Sequence, residues 1–277
     1  MTIDEIIRQS LIEDIQNGDH TSLSTIPKSA IGKAQLIVKQ AGIVAGVDIA
    51  KLVFFAVDPD LIFIKKMEDG KRVKIGDIVF EVEGSSISIL SAERVALNFM
   101  QRMSGIATTT SLYVEQLVGL KTRLLDTRKT TPLLRELEKM AVRLGGGENH
   151  RMGLYDMIMI KDNHIDFAGG IEKAIDACRK YLFNKNLDLK IEIEVRNEKE
   201  LIRVLNKGGV NRIMLDNFSV DQMREAILLI NGKYQTEASG GITLETIRNY
   251  AETGVDYISV GALTHHIKSL DLSLKAI

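Results

Sequence analysis

The segment Leu189–Asp216 reads LKIEIEVRNEKELIRVLNKGGVNRIMLD, and its pattern sets the expected architecture. Two short runs rich in Ile, Leu, Met and Val predict strands, and they enclose a helix-like segment at Glu198–Leu205. The pair Gly208-Gly209 is a typical helix stop. A strand, a helix and a second strand in this order build parallel sheets that helices cover.

The same unit recurs through the second half of the chain. Strand-like runs follow one another from Thr122 onward, and helix-like segments separate them. About six such units predict a closed or nearly closed α/β barrel, and an open doubly wound sheet is the alternative. The predicted strands are TRLLD, YDMIMI, LKIEIEV, NRIMLD, YQTEA and DYISV, and the predicted helices are Leu133–Val142 (started by Thr131-Pro132), Ile171–Tyr181, Glu198–Leu205, Val220–Leu229 and Leu244–Tyr250.

The first half of the chain has a different pattern. Strand-like runs (KAQLIVK, LIFIKK, DIVFEVEG) alternate with glycine turns and a short helix around Ala50–Val57. A long helical stretch follows from Ser91 to Val118, with apolar residues at helical spacing. We therefore predict an N-terminal α/β domain over residues 1–120 and a C-terminal α/β barrel over residues 121–277. Whether the extreme C-terminus packs back on the N-terminal domain stays open.

Composition excludes several classes of protein. The 277 residues are 45% hydrophobic and 26% charged, which argues against disordered and collagen-like chains. The 36 basic and 37 acidic residues disfavour general binding to nucleic acid or to anionic membranes. No run approaches the roughly 18 apolar residues of a membrane span, and the single Cys178 favours a reducing compartment. We expect a soluble, cytoplasmic, globular protein.

Polar side chains follow every predicted strand of the second half. The carboxyl ends of the strands of a parallel α/β barrel open onto one rim, so these side chains are expected at one site. The alternative is that loops are polar in any case. The rim residues are Asp126, Thr127, Arg128 and Lys129; Lys161, Asp162, Asn163 and His164; Glu192 and Glu194; Asp216 and Asn217; Ser239, Gly240 and Gly241; and Gly261, Ala262, Leu263 and Thr264.

Two of these loops suit an anion and one pair of carboxylates suits a metal. Ser239-Gly240-Gly241 and Val260-Gly261-Ala262, each predicted to enter a helix, expose backbone N–H groups to a phosphate. Alternatively, these glycines only form tight turns.

Glu194 and Asp216 end consecutive strands and could hold hydrated Mg²⁺ or pair with nearby cations. No HExxH pair, cysteine cluster or GxSxG elbow occurs, which disfavours zinc hydrolysis and serine acyl transfer.

The central block of the chain is strongly basic. Arg135, Lys139 and Arg143 have helical spacing and predict a solvated helix face. Other cations lie in loops or at a strand end, where they can converge on carboxylates and phosphates. We expect His150, placed among them, to be biased toward its neutral form. The converging cations are Arg128, Lys129, Arg151 and Lys161.

Long blocks of the sequence closely resemble the quinolinate phosphoribosyltransferase family, also called nicotinate-nucleotide pyrophosphorylases (carboxylating). These blocks are LLDTRKTTP, GGGENHRMGLYDMIMIKDNHI, IMLDN, SGGI and GVDYISVGALTH, with GDHTS, GIVAGV and AERVALNFMQRMSGIAT upstream. The resemblance runs nearly from end to end. Two departures are visible: His20 and Ser22 stand where GDITT is expected, and Arg196 stands where Glu is common. Neither removes a site residue.

The resemblance implies an N-terminal α/β sandwich domain, a C-terminal barrel of the type II phosphoribosyltransferase kind, and a homodimer whose further assembly stays open. It implies transfer of phosphoribosyl from phosphoribosyl pyrophosphate to quinolinate with decarboxylation. The products would be nicotinate mononucleotide, pyrophosphate and CO₂, as in de novo NAD biosynthesis, and the reaction would require Mg²⁺.

The resemblance also assigns roles to residues. Lys129, Lys161, Glu194 and Asp216 would be catalytic, with the last two holding Mg²⁺, and Arg94 would come from the partner subunit. The full substrate-binding set implied is Arg94, Thr127, Arg128, Lys129, His150, Arg151, Lys161, Glu194, Asp216, Ser239, Gly240, Gly241, Val260, Gly261 and Ala262.

Two other functions stay open at this point. One is a homologous phosphoribosyltransferase or pyrophosphorylase that acts on another carboxylated acceptor. The other is a phosphosugar-binding protein without catalysis, which loss of Glu194 or Asp216 would indicate, and both are present. A barrel isomerase is weaker, because the loops contribute more cations than one phosphate needs.

Overall fold

The computed structural model describes all residues, Met1–Ile277, as two compact units. The first unit comprises Met1–Ser111, Thr130–Gly146 and Leu263–Ile277, and the second comprises Leu112–Lys129 and Gly147–Ala262. The sequence suggested a single division near residue 120, whereas in the structure the chain returns twice to the first unit. None of the helices is long and apolar enough to cross a membrane.

Helices and strands occupy most of the segments that the sequence predicts. In chain order they are α1 (Ile3–Ile15), α2 (His20–Thr25), β1 (Ile31–Val38), β2 (Gly42–Ile43), α3 (Val47–Val57), β3 (Ile62–Lys65), β4 (Arg72–Val73), β5 (Ile78–Ser85), α4 (Ser86–Gln116), β6 (Arg123–Leu125), α5 (Arg135–Leu144), β7 (Ile158–Ile160), α6 (Asp162–Ala168), α7 (Ile171–Lys185), β8 (Ile191–Val195), α8 (Glu198–Lys207), β9 (Arg212–Asp216), α9 (Val220–Ile230), β10 (Gln235–Ser239), α10 (Ile247–Ala251), β11 (Tyr257–Ser259), α11 (Ala262–His265) and β12 (Leu272–Ala276).

The first unit is built on a four-stranded antiparallel sheet in the order β12-β1-β5-β3. Leu36 in β1 lies opposite Leu274 of β12 and Phe80 of β5, and all three side chains are buried. Phe54 of α3 packs edge-to-face on Phe80, with ring centroids 5.8 Å apart. Met100 of α4 lines the same core. The C-terminal strand β12 is therefore part of this sheet.

Helix α5 begins later than the sequence predicts. Thr131-Pro132 is not its first turn, because Leu133 has a left-handed φ of +68° and the helix begins at Arg135. Glu138, 1% exposed, accepts hydrogen bonds from Arg102 Nε at 2.9 Å and from the backbone N–H of Thr131 at 3.2 Å. The turn before the helix is thus fixed by a buried carboxylate.

The predicted solvated face of α5 was wrong at Lys139, whose side chain is fully buried. Arg143 is exposed and Arg135 is half-buried, so only part of that face meets water. Glu138, the neighbouring residue, is buried as well. Helical spacing shows which residues share a face, but it does not show whether protein or solvent lies against that face.

The second unit contains a six-stranded parallel sheet in the order β6-β11-β10-β9-β8-β7. From β7 to β11 each strand pairs with the next one along the chain, and β6 joins β11. This single direction of winding is that of a barrel, whereas a doubly wound sheet reverses direction at its centre. The alternative of an open doubly wound sheet is therefore wrong. The edge strands are β6 and β7, and a parallel bridge joins Leu125 of β6 to Glu148.

The two faces of this sheet differ in polarity. Successive residues of a strand point to opposite faces, and the pairing register shows which residues of neighbouring strands share a face. In a singly wound sheet the helices cover one face, and the other face lines the interior of the barrel. The face with mostly apolar residues packs against the helices, and the face with mostly polar residues lines the interior. The apolar set is Ile191, Ile193, Val195, Ile213, Leu215, Ala238 and Ile258, with Thr236 as a polar member of that face; the polar set is Glu192, Glu194, Arg212, Asp216, Glu237 and Ser239, with Met214 as an apolar member.

The two departures from the family pattern have local structural roles. Ser22 is buried and donates to the carboxylate of Asp19, which caps α2 by accepting the backbone N–H of Ser22 at 3.0 Å. Arg196 pairs with Glu200 at 2.6 Å and with Asp166 at 3.4 Å. The positive charge of Arg196 is thus matched by acidic neighbours.

The pairing of β12 with β1 can be tested by truncating Leu274. Leu274→Ala should lower the free energy of unfolding by about 2–5 kcal/mol, because it leaves a cavity beside Leu36 and Phe80. The neighbouring Lys275 is exposed, and Lys275→Ala should change the free energy of unfolding by no more than about 0.5 kcal/mol. Urea denaturation measures both, and equal midpoints for the two variants would contradict this packing.

Candidate active site

Lys161 stands at the carboxyl end of β7, where α6 begins. Its backbone N–H donates to His164 Nδ1 at 2.9 Å, which fixes the start of the helix. Its ammonium group is half-exposed and lies 3.3 Å from Oε2 of Glu194. The lysine is therefore held at the strand end while part of its charge stays available to a ligand.

Glu194 and Asp216 end the adjacent strands β8 and β9 and point to the same face of the sheet. Glu194 is buried, and burial raises the pKa of its carboxyl. Lys161 opposes that shift, whereas the negative charge of Asp216 adds to it. Asp216 accepts a hydrogen bond from the side chain of Asn217 at 2.6 Å. Two carboxylates that destabilise each other's charge are a suitable pair of oxygen ligands for a divalent cation.

Arg128 and Arg151 bring two guanidinium groups close together. Burial and the positive charge of Arg128 both lower the pKa of Arg151. Arg151 also donates to the carbonyl of Met157 at 3.0 Å, which limits its orientation. Nε of Arg128 is buried and has no hydrogen-bond acceptor in the protein. A buried donor without an acceptor is costly, so this pair of cations is prepared for an anionic ligand.

Asp126 ties the loop after β6 to the segment Asn149–Arg151. It is fully buried, and it accepts the backbone N–H of His150 at 2.8 Å and the side-chain amide of Asn149 at 2.6 Å. The next residues along the chain, Thr127 and Lys129, form a tight turn in which Lys129 N–H donates to Thr127 Oγ1 at 3.0 Å. One carboxylate therefore connects the two segments that carry Arg128 and Arg151.

The imidazole of His150 lies in the interior of the second unit, against acidic residues. Its Nε2 is 3.0 Å from Glu192 and 3.4 Å from Glu237, and both carboxylates are fully buried. Arg212 lies 2.9 Å from Glu237 and 4.0 Å from Glu192. The sequence predicted Glu192 on the rim with Glu194, whereas the structure buries it beside His150, and no alternation in YQTEA marks Glu237.

The prediction that neighbouring cations bias His150 toward its neutral form was wrong, because the groups that face its ring are carboxylates. Burial lowers the pKa of His150, but the carboxylates of Glu192 and Glu237 outweigh burial and raise it above its usual range. Burial and the charge of Glu237 also raise the pKa of Glu192, to about 7. At the other side of the ring Nδ1 accepts the backbone N–H of Arg151 at 2.7 Å, and this hydrogen bond opposes the second protonation that the carboxylates favour. The geometry therefore assigns the ring proton to Nε2, facing the carboxylates.

The two glycine loops differ in construction. Val260-Gly261-Ala262 leads directly into the four-residue helix α11, as the sequence predicts. Ser239-Gly240-Gly241 does not enter a helix, because α10 begins only at Ile247, and this corrects the prediction. Gly240 instead makes a close approach. Its φ is +99°, and a Cβ there would collide with the side chain of Asn217 and lie 2.8 Å from its backbone nitrogen.

The second unit contains all the expected substrate residues except one. Most of them lie at or directly after the carboxyl ends of β6, β7, β8, β9, β10 and β11, whereas His150 and Arg151 lie between α5 and β7, just after the bridge residue Glu148. Arg94 lies on α4 in the first unit and is exposed. Sequence reasoning missed Glu237 and Arg212, because their partners lie on other strands. The residues of the second unit are Thr127, Arg128, Lys129, His150, Arg151, Lys161, Glu194, Asp216, Ser239, Gly240, Gly241, Val260, Gly261 and Ala262.

Adjacent glycines provide a test of the loop after β10. Gly240 and Gly241 both have positive φ, but only a Cβ at Gly240 would collide with a neighbour. Gly241→Ala should lower the free energy of unfolding by about 1–2 kcal/mol, the cost of a left-handed alanine. Gly240→Ala should cost more, since Asn217 must also move. Urea denaturation of both variants measures the difference, and equal losses would contradict the close approach.

Comparisons with known proteins agree over both units. Residues 19–104 match the family model described as "Quinolinate phosphoribosyl transferase, N-terminal domain", and residues 106–275 match the corresponding C-terminal domain. "Quinolinate phosphoribosyltransferase [decarboxylating] 1" of Nicotiana glauca is 46% identical, over 98% of this chain and 81% of that protein. "Probable nicotinate-nucleotide pyrophosphorylase [carboxylating]" of Bacillus subtilis is 43% identical, over 99% of this chain and 93% of that protein.

A solved structure shows the same fold. The crystal structure of NadC from Streptococcus pyogenes superposes with a TM-score of 0.94 at 41% identity, covering 99% of this chain and 97% of that one. The α/β fold class expected from the sequence is confirmed by this likeness and by the parallel and antiparallel sheets of the two units. By these matches the chain belongs to the quinolinate phosphoribosyltransferase family.

Proposed function

We propose that this protein transfers phosphoribosyl from phosphoribosyl pyrophosphate to quinolinate and releases CO₂ and pyrophosphate, giving nicotinate mononucleotide for NAD biosynthesis. The relatives' names support this activity. The observation that carries it is the buried Nε of Arg128, which has no acceptor in the protein, beside Arg151, whose pKa the charge of Arg128 lowers. Quinolinate has two adjacent carboxylates, and guanidinium groups match carboxylates with parallel N–H donors.

We propose Mg²⁺ as the metal of this site, bound through Glu194 and Asp216. The fit is supported by two hard oxygen donors on adjacent strands and by the burial and like charge that raise the pKa of Glu194. Bound there, Mg²⁺ would neutralise part of the charge of phosphoribosyl pyrophosphate. Lys161, 3.3 Å from Glu194, supplies a positive charge to the same carboxylate in the absence of the metal.

The residues of the rim suit a direct displacement at the ribose. The pyridine nitrogen attacks the anomeric carbon as the bond to pyrophosphate breaks, so positive charge develops on the sugar and negative charge on the leaving group. The carboxylate of Glu194 would stabilise the first charge and the exposed ammonium of Lys129 the second. The attacking nitrogen needs no base, so positioning by Arg128 and Arg151 supplies much of the acceleration.

Decarboxylation follows once the ring nitrogen carries the sugar. The ring is then cationic, and it accepts the electron pair released when the bond between C2 and its carboxylate breaks. C2 afterwards takes up a proton, and CO₂ leaves. Arg151 is half-buried, and the removal of water from the carboxylate beside it would favour this step.

We also propose a cytoplasmic homodimer in which Arg94 completes the site of the partner subunit. Arg94 is exposed on α4 in the first unit, while the other expected substrate residues lie in the second. The family resemblance of the AERVALNFMQRMSGIAT block supports a role of Arg94 in quinolinate binding. The single Cys178, half-buried, suits a reducing compartment. The balanced charge gives no support for nucleic acid as a partner.

An assay with quinolinate, phosphoribosyl pyrophosphate and Mg²⁺ tests the proposed reaction, with formation of nicotinate mononucleotide and CO₂ as the measurement. Arg151→Ala and Lys161→Ala should each lower kcat/KM roughly 100-fold or more, because each removes a charge from the site. Arg224→Ala removes an exposed arginine of α9 that pairs only locally with Asp221, and it should keep full activity. Preference for nicotinate over quinolinate would reject the proposed reaction. Turnover that persists in EDTA would reject Mg²⁺ as the metal.

Mixed dimers test the shared site. Arg94→Ala and Lys161→Ala chains should each be inactive alone, yet after subunit exchange about one quarter of all sites should regain both residues. The sample should first be resolved by size, and it should be verified that dimers with one chain of each variant have formed. If these mixed dimers recover no activity, Arg94 does not complete the site of the partner subunit.

A further inference from the structure

We propose that Glu192, Glu237 and Arg212 are positioning residues: together they form a buried network that orients His150 and, through its ring, the segment that carries Arg151. The inference deepens the proposed function, because it assigns to this network the placement of the quinolinate-binding cations. None of the three is expected to touch substrate.

The network consists of charged side chains inside the second unit. Glu192, Arg212 and Glu237 share one face of β8, β9 and β10, since the register pairs Glu192 with Arg212 and Met214 with Glu237. Arg212 donates to Glu237 at 2.9 Å, and its guanidinium stacks 4.0 Å from the ring centroid of Tyr257. Arg212 is therefore fixed from two sides, and it fixes Glu237.

The network reaches Arg151 through the two nitrogens of one imidazole. Nε2 of His150 faces Glu192 at 3.0 Å and Glu237 at 3.4 Å. Nδ1 accepts the backbone N–H of Arg151 at 2.7 Å. A rotation of the ring would break the contacts on both sides at once. The plane of the imidazole, and with it the backbone at Arg151, is thus set by the two carboxylates.

Asp126 holds the opposite side of the same segment. It accepts the backbone N–H of His150, so main chain and ring are held by different carboxylates. One further contact constrains Arg151 itself, the hydrogen bond from its guanidinium to the Met157 carbonyl. A position fixed from this many directions is what tight binding of a dicarboxylate needs.

Stability alone gives no reason for this network. Burying two carboxylates is costly, and replacing buried ion pairs with apolar side chains is often neutral or stabilising. The opposite face of the same strands is filled with Ile, Leu and Val, so these positions could be apolar too. His150, Glu192 and Glu237 also have the composition of a metal site. The guanidinium of Arg212 already supplies the positive charge at Glu237, which favours the positioning role.

The test compares the KM for quinolinate with the KM for phosphoribosyl pyrophosphate in the variants Glu237→Gln and Glu192→Gln. Each substitution preserves side-chain shape and replaces a carboxylate that faces His150 with a neutral amide. The KM for quinolinate should rise about 10- to 100-fold, since a displacement of about 1 Å can cost that much. The KM for phosphoribosyl pyrophosphate should stay within the error of the wild type, because Glu194, Asp216 and the glycine loops are unchanged. Steady-state kinetics in saturating Mg²⁺ measures both constants.

Thr236→Val is the matched control. Thr236 is buried on β10 next to Glu237, but its hydroxyl bonds to Asp256, away from His150. This variant should lose stability while both KM values stay unchanged. A wild-type protein that fails to turn over quinolinate would refute the proposed function. If the wild-type protein is active, three results would refute the positioning role. The quinolinate KM could stay unchanged in both variants, or both Michaelis constants could rise equally. Both variants could also fail to fold while Thr236→Val folds.

Discussion

The interior of the second unit must keep its buried charges matched. Glu192 and Glu237 are fully buried on β8 and β10, on either side of β9, and an unpaired carboxylate in such a place would be strongly destabilising. Arg212 and His150 supply the compensation. Because one nitrogen of His150 meets the carboxylates and the other meets the backbone of Arg151, this local requirement also determines where the segment that carries Arg151 lies. The residues that compensate the buried carboxylates are therefore the same ones that fix the geometry of the site.

Much of this arrangement is visible in the sequence, because the strands of a parallel barrel deliver their carboxyl ends to one rim. The strand-helix alternation after residue 122 predicts all six strands of the sheet and the order of their loops. The candidate cations and carboxylates follow from reading the residue after each strand. Glu192 is in the same run as Glu194, yet the first belongs to the buried network and the second to the rim. Spacing alone does not separate these two roles.

The features that escaped prediction depend on contacts between distant residues. Lys139 fits a solvated helix face, and only the packing of α5 shows that it is buried. Thr131-Pro132 has the composition of a helix start, but Glu138 binds the N–H of Thr131 and the helix begins at Arg135. The ion pair between Arg212 and Glu237 joins two strands separated by a helix. Such partners are chosen by strand order and register, which no local pattern encodes.

The pairing of β12 with β1 has a consequence for the order of events during synthesis. The ribosome makes β1 long before it reaches Leu272, so the sheet of the first unit lacks an edge strand through most of synthesis. At roughly 5–20 residues per second, β1 waits on the order of tens of seconds for this neighbour. Its exposed edge is a template for pairing with other nascent chains during that interval. Slow translation between these two strands would thus favour aggregation of the N-terminal segment.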